Sequence, residues 1–347
     1  MKKNISIFAP FPPYSGGMST LGVTLFDTFV KNGHNVIKQQ TESGLIGLLP
    51  VPYIYLKFIR TIFLSDIIHI ISASGNALWV KDLPIVIISK ILKKKVVLNF
   101  VGGKAIDEFE KWSFIKRLPF YLTDIIVVPT EILKDKIENF DYKLNVKKIP
   151  HMVKIEKFNN YEVTNPTGSF VLLIAKAIEN YSGHEILIDI FIEIQKSIND
   201  IELWIAGSGK NEIRLKEKIL KKGYSNIVFL GDVPNKIMPE IMKKSTLLIH
   251  GTKYESFGIA LVEAMASSVP VISFKVGGIP EVVIDRKTGI LIPYKEKKLF
   301  AIKVVELLKN KTMLRKMKKD SFDHSKKFNP DKVYKSWNKL FSKFYQK

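Results

Sequence analysis

The chain has 347 residues, of which 54 are Lys or Arg and 33 are Asp or Glu, and it contains no cysteine. This length suits two domains of ordinary size, and the lack of cysteine excludes disulfides and thiolate metal sites. The net charge of +21 is concentrated in residues 1–160, which carry +9, and 295–347, which carry +12. Either a biased base composition or attraction to anions accounts for this charge, and charge alone does not choose between them.

The first residues predict a strand over 5–9 and no signal peptide, because the apolar run is short and ends in a loop rich in proline and glycine. A helical pattern follows over 19–32 and a second strand over 35–37. This order of strand, glycine loop, helix and strand indicates a parallel sheet. Short apolar runs predict further strands over 67–71, 96–100 and 125–128.

The segment 45–64 is strongly apolar, but its two prolines and two charges argue against a membrane-spanning helix. Two interpretations stay open: a buried helix, or a helix with one face on a membrane surface. The second rests on aromatic residues interleaved with cations, namely Tyr53, Tyr55, Phe58 and Phe63 beside Lys57 and Arg60.

A polar stretch over 156–168 predicts a linker, after which the second half repeats the same scheme. A helix is predicted over 185–198 and a closing helix over 332–345. Near-continuously apolar runs predict strands over 170–174, 202–206, 227–230, 247–250 and 271–274. Such strands are typical of parallel sheets covered by helices on both faces. We therefore predict an α/β protein with two Rossmann-like halves.

The segment 254–266 carries the clearest chemical pattern. Glu255 directly follows an apolar strand, and residues 256–259 begin a helix whose free amides suit a phosphate or a sugar hydroxyl. Glu263 lies further inside this helix among small residues, where a carboxylate can accept hydrogen bonds from both hydroxyls of a ribose. Taken singly, the two glutamates are better explained as an acid that complements the helix dipole and an ordinary exposed residue.

The context of these glutamates changes that interpretation. A glycine loop at Gly277 and Gly278 follows the next strand, and the run 255–293, with glutamates spaced E-x7-E, resembles the retaining nucleotide-sugar glycosyltransferases of family GT4. The resemblance implies a GT-B fold, in which two facing Rossmann-like domains with parallel sheets border a central cleft. Weaker matches extend it over nearly the whole chain, at 16–17, 33–36, 206–209 and 231–233. The implied parts are an acceptor-side domain at 1–160, a nucleotide-sugar-binding domain at 161–328, and a helix at 329–347 that crosses back to the first domain.

The resemblance also implies the roles of individual residues. Glu255 positions the donor sugar and Lys176 stabilises the diphosphate, so both are expected to be catalytic, and Glu263 is expected to hold the ribose. The other expected donor-binding residues are Gly16, Gly17, Gly207, Gly209, Val233, Ser256, Phe257, Gly258 and Ile259, and the expected acceptor-side residues are Asn99, Gly102 and Gly103.

Three positions depart from the family pattern. Lys176 stands where the family usually has an arginine, so it supplies a point charge instead of a bidentate fork. Ser182 occupies a lysine slot, which removes one expected cation and makes Lys210 a candidate substitute. Val101 occupies a histidine slot on the acceptor side, so the acceptor chemistry is less determined than donor binding.

These features predict a retaining transfer of a sugar from a nucleotide-sugar to a glycan or lipid-linked acceptor, in the synthesis of cell-surface polysaccharide or glycoconjugates. No metal or other cofactor is expected, because neither an Asp-x-Asp motif nor a histidine pair with ligand spacing occurs. The glycine loops do not match G-x-G-x-x-G, which argues against a dehydrogenase.

The expected partners are the donor and the acceptor, with an anionic membrane surface as a further candidate and no nucleic acid. The expected location is the cytoplasm, including the periphery of the inner membrane face. Two alternatives stay open, a nucleotide-sugar epimerase of the same fold and a non-catalytic, transferase-like partner subunit.

Overall fold

The computed structural model describes residues 2–13, 16–41, 51–73, 78–104, 111–158 and 168–344, with the backbone alone at 51–55 and 79. The chain divides into two compact units. Unit 1 comprises Met1–Val153 with Phe328–Lys347, and unit 2 comprises Lys154–Lys327. Most of the predicted linker lies outside the described residues, and Ile155–Lys157 at its start forms a 3-10 turn.

Unit 1 is built on a parallel six-stranded sheet. The strands are β1 (Asn4–Ala9), β2 (Asn35–Gln40), β3 (Ile67–Ser72), β4 (Lys95–Phe100), β5 (Ile125–Val128) and β6 (Val146–Lys148). Their order is β2-β1-β3-β4-β5-β6. The helices that accompany them are α1 (Gly17–Lys31), α2 (Val51–Phe63), α3 (Leu83–Ile91, after a π-helical turn at Leu78–Asp82), α4 (Phe114–Leu122) and α5 (Glu131–Phe140).

Helix α2 contains the described part of the apolar segment 45–64, since residues 42–50 lie outside the described chain. Phe58 is 4% exposed and packs edge-on against Phe8, whereas Leu56 and Phe63 are 64% and 69% exposed. The helix is therefore amphipathic, with one face in the core and one in solvent. The expectation that Phe58 lies at a membrane boundary is wrong, because the helical period turns it inward. The side chains of Tyr53 and Tyr55 lie outside the description.

A final helix, α13 (Pro330–Lys343), returns the chain to unit 1 after unit 2 is complete. Asn329 caps its first turn by accepting a hydrogen bond from the Asp331 amide at 2.9 Å. Trp337 packs against His69, with ring centroids 4.8 Å apart and the ring planes tilted by 33°. Because His69 is fully buried there, its pKa is lowered to about 3 and the ring is neutral at physiological pH.

Unit 2 repeats the architecture. Its strands are β7 (Phe170–Ala175), β8 (Ile201–Ala206), β9 (Ile227–Gly231), β10 (Leu247–His250), β11 (Val271–Phe274) and β12 (Gly289–Ile292). They form a parallel sheet of order β12-β11-β10-β7-β8-β9. The helices are α6 (His184–Gln195), α7 (Glu212–Lys221), α8 (Met238–Lys244), α9 (Ile259–Ala266), α10 (Ile279–Val282), α11 (Lys297–Lys309) and α12 (Lys311–Ser325).

The strand order of unit 2 reverses at β7. The chain moves from β7 outward through β8 to β9, and then returns to the other side of β7 with β10. In open α/β sheets the loops at such a reversal diverge, and they leave a crevice at the carboxyl ends of the strands where ligands bind. The loops after β7 and β10 are therefore the first place to look for a site. Within the described residues, no helix has the length and apolarity needed to span a bilayer.

Candidate active site

The loops after β7 and β10 bring Lys176 and Glu255 together. The Lys176 ammonium donates to Oε2 of Glu255 at 2.8 Å, and the two side chains are only 19% and 14% exposed. Burial alone would raise the pKa of Glu255, but the charge of the Lys176 ammonium leads the interactions that outweigh it and hold that pKa well below its usual range. Glu255 is therefore ionised at physiological pH and ready to accept hydrogen bonds.

Glycines let these loops approach one another closely. Gly277 has a φ of +48°, and a Cβ added there would overlap the carbonyl oxygen of Glu255. The next amide, that of Gly278, donates to the same oxygen at 2.9 Å. On the other side of the site, a Cβ at Gly207 would overlap the carbonyl of Lys176. The loop after β11 therefore fixes the backbone of Glu255, and the loop after β8 fixes that of Lys176.

Gly209 and the start of α9 complete this edge of the sheet. A Cβ at Gly209 would overlap the Ile178 carbonyl, two residues beyond Lys176. Gly258, with a φ of +87°, is the N-cap of α9, and the Phe257 amide lies 3.5 Å from Oε1 of Glu255. Ser256 and Phe257 are buried and Ile259 is half-buried. Val233 lies in the loop after β9, half-buried.

Glu263 lies within α9, one turn beyond its start, and is half-buried. Burial raises its pKa to about 7, and the Lys157 ammonium opposes this shift. Lys157 belongs to the 3-10 turn Ile155–Lys157, which packs against α9. The carboxyl group of Glu263 therefore changes charge near neutral pH, unlike that of Glu255.

Ser182, which occupies the lysine slot, and Lys210, its candidate substitute as a cation, lie in different surroundings. Ser182 is buried, and its hydroxyl accepts from the Glu179 amide at 3.4 Å, so this side chain stabilises its own turn. Lys210 is exposed in the loop after β8. Lys176 is accordingly the cation that contacts Glu255, and Ser182 supplies no charge.

His250 is a site residue that the sequence analysis did not single out. It ends β10 with its side chain 3% exposed, and its Nε2 lies 3.4 Å from Oε2 of Glu255. His184, the first residue of α6, is also buried close by, and burial lowers its pKa to about 4. Histidine at the end of a strand, five residues before the glutamate, was the signal that could have pointed to this neighbour.

The expected site residues of unit 1 lie in three places. Gly16, with a φ of +102°, caps α1, which begins at Gly17, and both glycines are exposed. Gly102 is buried and Gly103 half-buried in the loop after β4. Asn99 is buried within β4, and its side-chain amide lies 3.2 Å from Nε2 of His69. The Asn99 side chain is thus held in the core of unit 1, while the glycines lie at loop positions.

Comparison with known proteins gives the chain its relatives. Residues 156–324 match the family model described as glycosyl transferases group 1. An uncharacterized glycosyltransferase of Methanocaldococcus jannaschii is 30% identical over 154 residues, which cover 44% of each chain. An uncharacterized protein of the cps region of Klebsiella pneumoniae is 26% identical over 303 residues, covering 82% of this chain and 77% of the relative.

The likeness to a solved structure extends over the whole chain. The Anabaena protein HepE, crystallised in complex with UDP-glucose, superposes with a TM-score of 0.79 at 18% identity, covering 98% of this chain and 100% of that one. At that identity the likeness establishes the fold. The α/β architecture predicted from the sequence, with two Rossmann-like parallel sheets, is confirmed. Residues 156–324 therefore match the glycosyl transferases group 1 family, within a chain whose two units share the α/β fold of HepE.

Proposed function

We propose that this protein transfers a sugar from a nucleotide-sugar donor to a glycan or lipid-linked acceptor, with retention of the anomeric configuration. The observation that carries the proposal is the half-buried Lys176–Glu255 ion pair at the strand-order reversal of unit 2. It sets an anion-binding cation beside an ionised carboxylate, at the position where such sheets bind ligands. Retention rests on the resemblance of the E-x7-E run to family GT4.

In this proposal each group acts on a different part of the donor. Lys176 meets the diphosphate, whose negative charge grows as the glycosidic bond breaks. Glu255 accepts hydrogen bonds from the sugar, and the start of α9 adds the positive end of its dipole. Glu263 accepts from the ribose. Gly16 and Gly17 are proposed to let the backbone approach the diphosphate.

The other proposed site residues belong to the loops beside Lys176, to the loop after β9 and to the acceptor side. Gly207 and Gly209 hold the loops beside Lys176, and Val233 is proposed to contact the nucleotide from the loop after β9. On the acceptor side, Gly102 and Gly103 are the better supported positions, because Asn99 is turned into the core. HepE, a structural relative, binds UDP-glucose, and a cps-region protein is among the sequence relatives. A uridine donor and a polysaccharide acceptor are the first pair to test.

A donor screen tests the function. Nucleotide-sugars are added singly in a thermal-shift assay, and those that raise the melting temperature are then incubated with the protein and assayed for sugar release. We expect at least one donor to bind and to be hydrolysed slowly without acceptor. Conversion of the donor to an isomeric nucleotide-sugar would instead identify an epimerase, and binding without any turnover would favour the non-catalytic subunit.

Replacing Glu263 with alanine is expected to weaken binding of the nucleotide-sugar found in that screen by about 1–3 kcal/mol, through the loss of two hydrogen bonds to the ribose. Because the pKa of Glu263 is raised to about 7, the wild-type carboxyl is ionised above that pH and loses its charge below it. Affinity should therefore fall as the pH is lowered from 8 to 6. Isothermal titration calorimetry at several pH values measures both effects.

Glu193→Ala is the matched control for Glu263→Ala. Glu193 is an exposed carboxylate of α6 whose ion pair with Lys196 is local. The Glu193→Ala variant should leave the affinity for the nucleotide-sugar, and the pH dependence of that affinity, unchanged. Unaltered binding by a folded Glu263→Ala protein would remove Glu263 from the donor site.

We also propose that unit 1 binds an anionic membrane surface. Exposed apolar side chains occur on the three neighbouring helices α2, α3 and α4: Leu56, Ile59, Phe63, Ile91, Phe114 and Ile115. Lys57 and Arg60 are exposed on α2 between them. Apolar side chains with interleaved cations suit the head-group region of a bilayer, where each basic residue contributes about 1 kcal/mol.

Vesicle sedimentation tests this membrane proposal. The protein should pellet with phosphatidylglycerol-containing vesicles at low salt, and the double variant Lys57→Glu, Arg60→Glu should bind at least about thirtyfold more weakly. The double variant Lys311→Glu, Arg315→Glu on α12 is the control, because it reverses the same charges at exposed positions of unit 2. If wild-type protein stays in the supernatant with anionic lipid in excess, the exposed face of α2 has no membrane role.

A further inference from the structure

His250 and Lys176 converge on one oxygen atom of Glu255. The Lys176 ammonium lies 2.8 Å from Oε2 and forms an ion pair. Nε2 of His250 lies 3.4 Å from the same Oε2, is fully buried, and forms no hydrogen bond with the described protein. A buried nitrogen without a partner is costly, so its position beside the carboxylate calls for a function.

The surroundings of His250 determine its protonation. The charged and titratable groups that face it are Glu255, Lys176 and His184. Burial lowers the pKa of His250, and Lys176 adds to this, so the ring is neutral at physiological pH although Glu255 opposes the shift. A neutral imidazole carries one N–H. Since Oε2 of an ionised carboxylate can only accept, the N–H belongs on Nε2, where it faces that oxygen.

Lys176 cannot serve Glu255 and a diphosphate equally well. Under the proposed function, a bound nucleotide-sugar places two phosphates near Lys176, and the leaving diphosphate gains charge during the reaction. The ammonium is then drawn away from Glu255. A buried carboxylate left without a partner would be desolvated and would tend to take up a proton.

We propose that His250 is a positioning residue for Glu255. It donates a hydrogen bond from Nε2 to Oε2 when Lys176 turns to the leaving diphosphate, and so keeps the carboxylate ionised and correctly oriented against the donor sugar. The small closure that is needed, from 3.4 Å to ordinary hydrogen-bond length, is within the reach of a side-chain rotation. This inference rests on the proposed function and adds a residue to it.

The experiment compares pH profiles of kcat for His250→Leu and His250→Gln. Leucine fills a similar volume without a donor. With saturating donor, where the Glu263 carboxylate is held by the ribose and Lys176 has turned to the diphosphate, the acidic limb reports protonation of Glu255 and should move up by about one pH unit. The value of kcat at neutral pH should fall about tenfold with KM little changed. Glutamine can place an N–H where Nε2 stood, and it should restore most of both quantities. His324→Leu, which removes a half-buried histidine of α12 in the same unit, should leave the limb in place.

Two results overturn the inference without touching the proposed function. One is an active enzyme in which His250→Leu leaves the acidic limb unmoved. The other is a loss of kcat that glutamine does not rescue and that a lower melting temperature accompanies, which indicates a packing role only. The 15N chemical shifts of His250 give a test that needs no turnover, because they report which ring nitrogen carries the proton. A proton on Nδ1 in place of Nε2 would also overturn the inference. A wild-type protein that binds no nucleotide-sugar would overturn the proposed function instead.

Discussion

Replacing Gly277 with alanine is expected to reduce kcat/KM for the donor at least about a hundredfold and to lower the free energy of unfolding by about 2–5 kcal/mol. The new Cβ would overlap the carbonyl oxygen of Glu255, so either the loop after β11 or the backbone of Glu255 must move. Overpacking of this kind typically costs about 1–3 kcal/mol, and the left-handed φ of +48° adds about 1–2 kcal/mol for a residue with a side chain. Urea denaturation and steady-state kinetics measure the two effects.

Gly223→Ala separates the steric effect from the backbone effect. Gly223 also has a left-handed conformation, with a φ of +64°, but a Cβ there would meet no atom within 4 Å. This control should lose only about 1–2 kcal/mol of stability and keep full activity. If Gly277→Ala behaves like Gly223→Ala in both measurements, the contact between the two loops does not position Glu255.

Replacing Lys176 with alanine is expected to lower kcat by about 100- to 1,000-fold, equivalent to about 3–4 kcal/mol of transition-state stabilisation. The ammonium is the cation beside Glu255, and its importance grows with the charge on the leaving diphosphate. Donor affinity in the ground state should change less than kcat, because the extra charge develops only as the bond breaks. Single-turnover kinetics with saturating donor measure the chemical step directly.

Ser182→Ala is the control for Lys176→Ala, since Ser182 occupies the slot of the second expected cation. Its hydroxyl accepts a hydrogen bond from the Glu179 amide within the turn, so we expect an effect on kcat of no more than about threefold. Equal and small effects of both variants would mean that another group neutralises the diphosphate. Lys210→Ala would then be the next variant to measure.

Hydrophobic pattern was sufficient to predict the interior strands and insufficient to predict the edge strand β6. The strands β3 and β4 are buried on both faces and therefore read as continuous apolar runs. The edge strand β6 consists of one buried valine and two exposed lysines, Lys147 and Lys148, so it has no such run and was missed. The apolar stripe predicts the closing helix at 332–345, but the helix begins at Pro330, because the Asn329 cap and Pro330 precede the first apolar residue of the stripe, Val333.

The candidate site divides in the same way. Glu255 and Glu263 could be predicted because both belong to one short segment, where their E-x7-E spacing is visible in the sequence. The contact of His250 with Glu255, and that of Gly277 with the Glu255 carbonyl, depend on how separate loops meet at the end of the sheet. The sequence pattern shows the hydrophobic period of a helix or strand, but it does not show how close two loops come in the folded protein. The amphipathic character of α2 was likewise hidden, since two prolines and two cations obscured its inward face.

The place of α13 in unit 1 has a consequence for synthesis on the ribosome. Residues 154–327 form a continuous unit that can fold as soon as it has emerged, whereas the earlier residues 1–153 must wait for Pro330–Lys343. Until then the surface around Phe29 and His69, which Trp337 and Phe341 finally cover, faces water. Such nascent apolar surface is where chaperones act. A mutation that slows the docking of α13 would therefore reduce the yield of protein in cells even where it leaves the properties of the folded protein unchanged.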